Sequence, residues 1–121
     1  MIVYFTPKSD PKLFACPCGD CDTKPSQRLL DLLQDTRSSA GVPMHVTSGP
    51  RCPAYNKVIG GAKYSEHPDG DGADIEIFGS RNRFLVTKAA LDNGCNRLGI
   101  AKRFLHLGVS ETNDQQVIWI Y

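Results

Sequence analysis

The sequence predicts an α+β domain: a small, mainly antiparallel sheet with flanking helices. Two stretches carry apolar residues at helical spacing, and several short ones carry the alternation of half-buried strands. The two kinds are mixed without the strand–helix–strand rhythm of a parallel sheet. At 121 residues the chain fits one domain, residues 1–121, and is too short for a second core of normal size. Apolar residues make up 40% and charged residues 22%, so a core can form.

Residues 1–25 are rich in Pro and Cys and read as an extended N-terminal arm with a turn. Residues 26–39 place leucines at 29, 30, 32 and 33 between polar neighbours, with Thr23, Pro25 and Ser26 as start signals and Gly41 and Pro43 as stops. Residues 42–47 read as a short strand. Residues 53–59 form a short helix with Pro53 in its first turn and Gly60 and Gly61 ending it. Residues 73–78 alternate small or apolar with acidic side chains, the period of a strand. A second long helix runs from Arg81 to about Asp92 and closes at Asn93 and Gly94. Two further strands, 103–109 and 117–121, flank the polar turn at 110–116.

Charge narrows the function. With 14 Lys+Arg against 13 Asp+Glu, the chain lacks the basic footprint of a nucleic-acid binder. No apolar run reaches the roughly 18–20 residues needed to cross a bilayer, so membrane insertion is not expected. The first residues show no basic segment followed by an apolar one, so no signal peptide is expected and the chain is cytoplasmic on synthesis. Small size and balanced charge point to a monomer.

Three of the five cysteines cluster as Cys16, Cys18 and Cys21. The two-residue gap between Cys18 and Cys21 lets both sulfurs reach one zinc, and Cys16 is near enough to be a third ligand. A structural zinc wants a fourth, which could be Cys52, Cys95 or nothing. The alternatives are a turn-rich surface segment with reduced thiols, or disulfides if the product acts outside the cell.

The densest chemical signal runs from Ser65 to Asp74, where a Gly-rich loop delivers His67 and Asp74 opens a strand seven residues later. An imidazole and a carboxylate meeting across such a turn are two good zinc ligands, and a catalytic zinc takes three protein ligands plus an open position. His106, in an apolar strand, is a candidate third. Read singly, His67 is equally a solvated loop residue, Asp74 a strand-end carboxylate and His106 a neutral core histidine.

Taken together, these residues resemble a known family, the zinc D,D-peptidases of the M15 group and specifically its M15A-like, phage-type branch. That group shares its metal-site fold with the signalling domain of hedgehog proteins. The pattern Ser-x-His-x6-Asp falls on Ser65, His67 and Asp74, with Gly70 and Ala73 in register. A Ser-Gly-x-Arg-x-Pro-x-x-Asn segment falls on Ser48, Gly49, Arg51, Pro53 and Asn56. Gly60, Gly61 and Ala62 fit before Ser65, a small apolar strand carries His106, and the Cys-rich stretch after Phe14 is similar to phage members.

The resemblance implies a hedgehog/DD-peptidase-like fold with Zn²⁺ on His67, Asp74 and His106, water taking the fourth position. It implies that Arg51 stabilises the oxyanion of the tetrahedral intermediate, that Ser65 binds substrate or braces the His67 loop, and that Tyr55 and Asn56 hold the loop. The implied substrate is the peptide stem of peptidoglycan, cut by a D,D-carboxypeptidase or an endopeptidase of the endolysin type, phage-encoded and acting on the cell wall. One departure stands out. Family members carry a carboxylate two residues after the last histidine or three before it, the natural general base. Here those positions are Gly108 and Arg103. His45 is a substitute base on this reading, and Gly108→Asp a way to restore the pattern if the backbone at 108 accepts a side chain. The alternative function is a catalytically weakened, zinc-containing binding or structural module, for example a phage virion component.

Overall fold

The computed structural model describes residues 2–121 and contains four helices, α1 (Pro11–Phe14), α2 (Gln27–Ala40), α3 (Pro53–Val58) and α4 (Ser80–Asp92). Five strands, β1 (His45–Ser48), β2 (Gly72–Glu76), β3 (Arg97–Ile100), β4 (Phe104–Gly108) and β5 (Val117–Ile120), form one sheet in the order β1-β2-β4-β3-β5. Every neighbouring pair is antiparallel except β3 and β5, which run parallel at one edge. The fold is therefore α+β with a mostly antiparallel sheet. No helix among the described residues is long and apolar enough to cross a membrane.

Local chemistry sets the boundaries. The Ser26 hydroxyl accepts a hydrogen bond from the Leu29 amide and caps α2, and Gly41, at φ 70°, ends it in the left-handed conformation. The buried positions Leu29, Leu32, Leu33 and Thr36 repeat every three or four residues, which puts them on one helical face. That face packs against α4, which buries Val86, Ala89 and Ala90. Both helices cover the sheet face carrying Val46, Ala73, Ile75, Leu98, Leu105 and Leu107.

Strand alternation then divides core from site. Ala73 pairs with Leu107 and Ile75 with Leu105 on the helix side. Gly72 and Asp74 of β2, opposite Gly108 and His106 of β4, must lie on the other face, because successive side chains point to opposite sides.

Three elements differ from the sequence expectation. The first strand begins at His45 rather than residue 42, since Pro43 has no amide for a ladder. Residues 11–14 of the arm form a short helix started by Pro11. Residues 97–100, expected as no strand of their own, pair with both β4 and β5. Their Gly99 weakens any strand signal, yet it fits because the Trp119 indole lies where its side chain would go.

Candidate metal centre

The pairing of Asp74 with His106 places a carboxylate and an imidazole side by side on the open sheet face. A 3₁₀ turn, His67–Asp69, brings His67 over them and is closed by Gly70 at φ 72°. A side chain at Gly70 would press on the Lys24 carbonyl, so both conformation and space call for glycine.

The donor atoms converge. His67 Nε2 lies 3.4 Å and His106 Nδ1 3.0 Å from Asp74 Oδ1. All three ligand atoms fall within 4.8 Å of one another. The far nitrogens are both tethered: His67 Nδ1 donates to the Gly49 carbonyl at 2.7 Å, and His106 Nε2 donates to Glu66 Oε2 at 2.6 Å. This leaves His67 Nε2 and His106 Nδ1 aimed at the same point as Asp74. Outer partners of that kind fix the tautomer and ring orientation of metal-ligating histidines. The donor set, two imidazoles and one carboxylate, suits a catalytic zinc with an open position. The residues fit the metal.

Burial alone would raise the Asp74 carboxyl, but hydrogen bonds from His106 and His67, with their charge, hold it well below the usual carboxylate range. Burial alone would lower His106, yet its bonds to Asp74 and Glu66 push the imidazole above its ordinary value. Glu66 behaves like Asp74: burial works against its charge, and the His106 bond, the Ser110 amide and the Arg97 charge outweigh it and lower its pKa.

No sequence pattern singles out Glu66, one residue before His67. The structure puts it at the centre of a buried network, 1% exposed, where it accepts from His106, from the Ser110 amide at 3.0 Å and from Arg97 Nε at 3.1 Å. Its carboxylate sits in the space that a side chain at Gly108 would occupy, and its stem passes where one at Gly72 would go. The glycines are cross-strand partners, and together they make the room. The proviso on Gly108→Asp therefore fails for a steric reason: φ at 108 is not positive, but a Cβ there would overlap Glu66. The two facing glycines are the signal in the sequence, readable only once the register is known.

The site opens into a cleft of about 540 Å³ that includes Arg51, Ser65, Phe104, Trp119 and Tyr121 in its walls. Arg51 is brought to the donors by its amide, which donates to the His67 carbonyl at 3.2 Å. Its Nε is buried with no hydrogen-bond partner among the described residues. The Ser65 hydroxyl accepts from the His67 amide at 3.2 Å and so braces that loop. Asn56 holds the loop from the other side, its amide nitrogen donating to the Ala62 carbonyl at 3.1 Å. His45 is not brought in: it is exposed at the start of β1, opposite Glu76, with Nδ1 3.1 Å from Asp10. Trp119 lies against His106 with ring centres 5.4 Å apart, under the Arg97 guanidinium. Tyr121 beside it has a phenol pKa raised by burial and by the Asp74 and Glu66 charges, against the lowering hydrogen bond with Trp119. A neighbouring hollow of about 580 Å³ shares Tyr64 and Ser65 but touches none of the three donors.

Comparison with curated proteins gives no match. Residues 4–109, which include Arg51, His67, Asp74, His106 and both facing glycines, match the family model described as Peptidase M15. By that match over most of its length, the chain belongs to the M15 family of peptidases.

Proposed function

We propose that this domain is a zinc-dependent peptidase that cuts the peptide stems of peptidoglycan, as a D,D-carboxypeptidase or an endopeptidase of the endolysin type. The observation that carries this reading is the convergence of His67 Nε2, Asp74 Oδ1 and His106 Nδ1 at the floor of a cleft, each imidazole anchored through its other nitrogen. A zinc ion held there would polarise the scissile carbonyl and lower the pKa of water at the open position. The rest falls to the chain's own side chains. Arg51 offers an unspent donor to the developing oxyanion, where a fixed, preorganised charge stabilises the transition state. Tyr121 keeps its proton at neutral pH and can donate a hydrogen bond to the substrate. Glu66 holds His106 in the tautomer that leaves Nδ1 free for the metal.

The test is release of free amino groups from purified peptidoglycan by the zinc-loaded chain. Arg51→Ala should lower kcat about 10²–10³-fold, the usual loss for one oxyanion donor. His106→Ala should abolish turnover. A second reading, a zinc-containing binding module such as a phage virion component, has its own observation. Apart from Asp74, the only carboxylate in the cleft wall among the described residues is Glu66, and three donors already occupy it. Wall binding without amino-group release by zinc-loaded protein would favour that module.

A further inference from the structure

The arm and the start of α3 bring four sulfurs together in a group separate from the His67, Asp74 and His106 donors. Cys16, Cys18 and Cys21 come from the arm, and Cys52 is the N-cap residue of α3. Their Sγ atoms all lie within 4.8 Å of one another, and Cys52 Sγ is 3.8 Å from Cys18 Sγ. None is in a disulfide. A disulfide would need a separation of about 2.0 Å. In a tetrahedron with Zn–S bonds of about 2.3 Å, neighbouring sulfurs stand about 3.8 Å apart. The fifth cysteine, Cys95, is buried elsewhere, with Sγ against the Gly108 and Arg97 carbonyls.

Three of the four sulfurs receive a backbone amide. The Asp20 amide points at Cys18 Sγ at 3.3 Å, the Cys52 amide at Cys16 Sγ at 3.3 Å, and the Tyr55 amide at Cys52 Sγ at 3.4 Å. Backbone N–H groups aimed at sulfur stabilise negative charge there. Gly19, at φ 77°, lets the chain reverse between Cys18 and Cys21 so that both face inward.

We propose that Cys16, Cys18, Cys21 and Cys52 form a closed tetrathiolate site for a structural zinc, distinct from the His67 site. Four sulfurs leave no open coordination position, so the site holds the fold and does no chemistry. Its effect on the cleft is through the backbone. Cys52 follows Arg51, so the metal ties the arm to the segment that presents the guanidinium. The proposal does not depend on the His67 site holding metal or on peptidase activity.

The test uses the full chain, purified under reducing conditions and exchanged with Co²⁺, whose thiolate complexes show an intense near-ultraviolet charge-transfer band absent from nitrogen and oxygen ligation. The wild type should show that band, and His106→Ala should keep it undiminished with one cobalt per chain. Cys18→Ser and Cys52→Ser should each lose most of it. If those variants fail to fold, alkylation of the wild type decides: the partly buried Cys18, Cys21 and Cys52 should resist modification until a chelator is added. A wild type without the band, a band that survives loss of Cys52, thiols that react equally fast before and after chelation, or an intact mass showing disulfides among the four would each overturn the proposal.

Discussion

Glu66 carries more of this site than any residue outside the donor set. It precedes a ligand in sequence, reaches across two strands and meets the other ligand's far nitrogen. Glu66→Gln keeps the shape and removes the charge, so metal affinity at the His67 site should fall about 10–100-fold, measured by competition with a chelating dye. An affinity unchanged by that variant would mean that Glu66 only fills space. Gly108→Asp should destabilise the fold by about 1–3 kcal/mol through overpacking. Adding Glu66→Ala should recover part of that cost, because the two side chains compete for one volume, and denaturation of the four-member cycle reads the coupling. The same cluster sets a pH dependence. In the metal-free chain the raised His106 pKa adds stability that is full below about pH 6.5 and is lost as pH rises through the raised value. The lowered Glu66 and Asp74 values add stability present above about pH 4 and lost on acidification. Chelated protein should therefore be most stable in mildly acidic solution, while zinc binding, which needs an unprotonated His106, strengthens as pH rises. A melting temperature of the chelated chain that climbs steadily from pH 6 to pH 9 would contradict this.

At the scale of elements, the 3₁₀ turn is the piece on which the site depends. Gly70 closes it, and the Gly70 carbonyl accepts from the Ser26 amide at 2.8 Å, tying the turn to the start of α2. Gly70→Ala should cost about 1–3 kcal/mol of backbone strain, and its Cβ would push Lys24 away and loosen His67 as well. Gly79→Ala is the control: φ is 85° there too, but nothing lies near the added carbon, so stability should fall with metal affinity unchanged. Equal affinity losses in both variants would show that the Gly70 packing is irrelevant. The helices are legible in the sequence because their signals are local, a hydroxyl at Ser26, a glycine at 41 and apolar residues three and four apart. The candidate donors His67, Asp74 and His106 are legible because the order of Ser65, His67, Asp74 and the strand of His106 resembles that of M15 peptidases, although each residue alone is ambiguous. β3 is not, since it has four residues, one of them Gly99, and half its pairing comes from β5 well down the chain. Glu66 is hidden, and Cys52 is not distinguishable from Cys95 as a fourth thiol, for the same reason: each depends on a register or a contact between segments more than thirty residues apart.

Across the whole molecule, the sheet separates the apolar core from the candidate metal site. Leu29, Leu33, Ile75, Leu98, Leu105 and Leu107 are fully buried between the sheet and its two long helices, and none of them is a donor. The candidate donors Asp74 and His106 stand on the opposite face with His67 on the turn over them, so loss of a zinc ion held there would open no hole in the core. What is lost is the binding linkage, about 2.7 kcal/mol when free zinc stands at 100 times its Kd and about 4.1 at 1,000 times. A domain of this size has about 5–15 kcal/mol to draw on. Stripping zinc from Cys52→Ser, where only the His67 site can hold it, should therefore leave the chain folded, with a lower melting temperature and an unchanged far-ultraviolet spectrum, unlike a zinc finger, which needs its metal to fold. Hydrogen exchange localises the effect. Amides around residues 65–72 should lose protection on chelation, and those of α2 and β4 should keep theirs. A collapse of helical signal when zinc is removed from Cys52→Ser, where only the His67 site can hold it, would show that the metal and the core form a single cooperative unit.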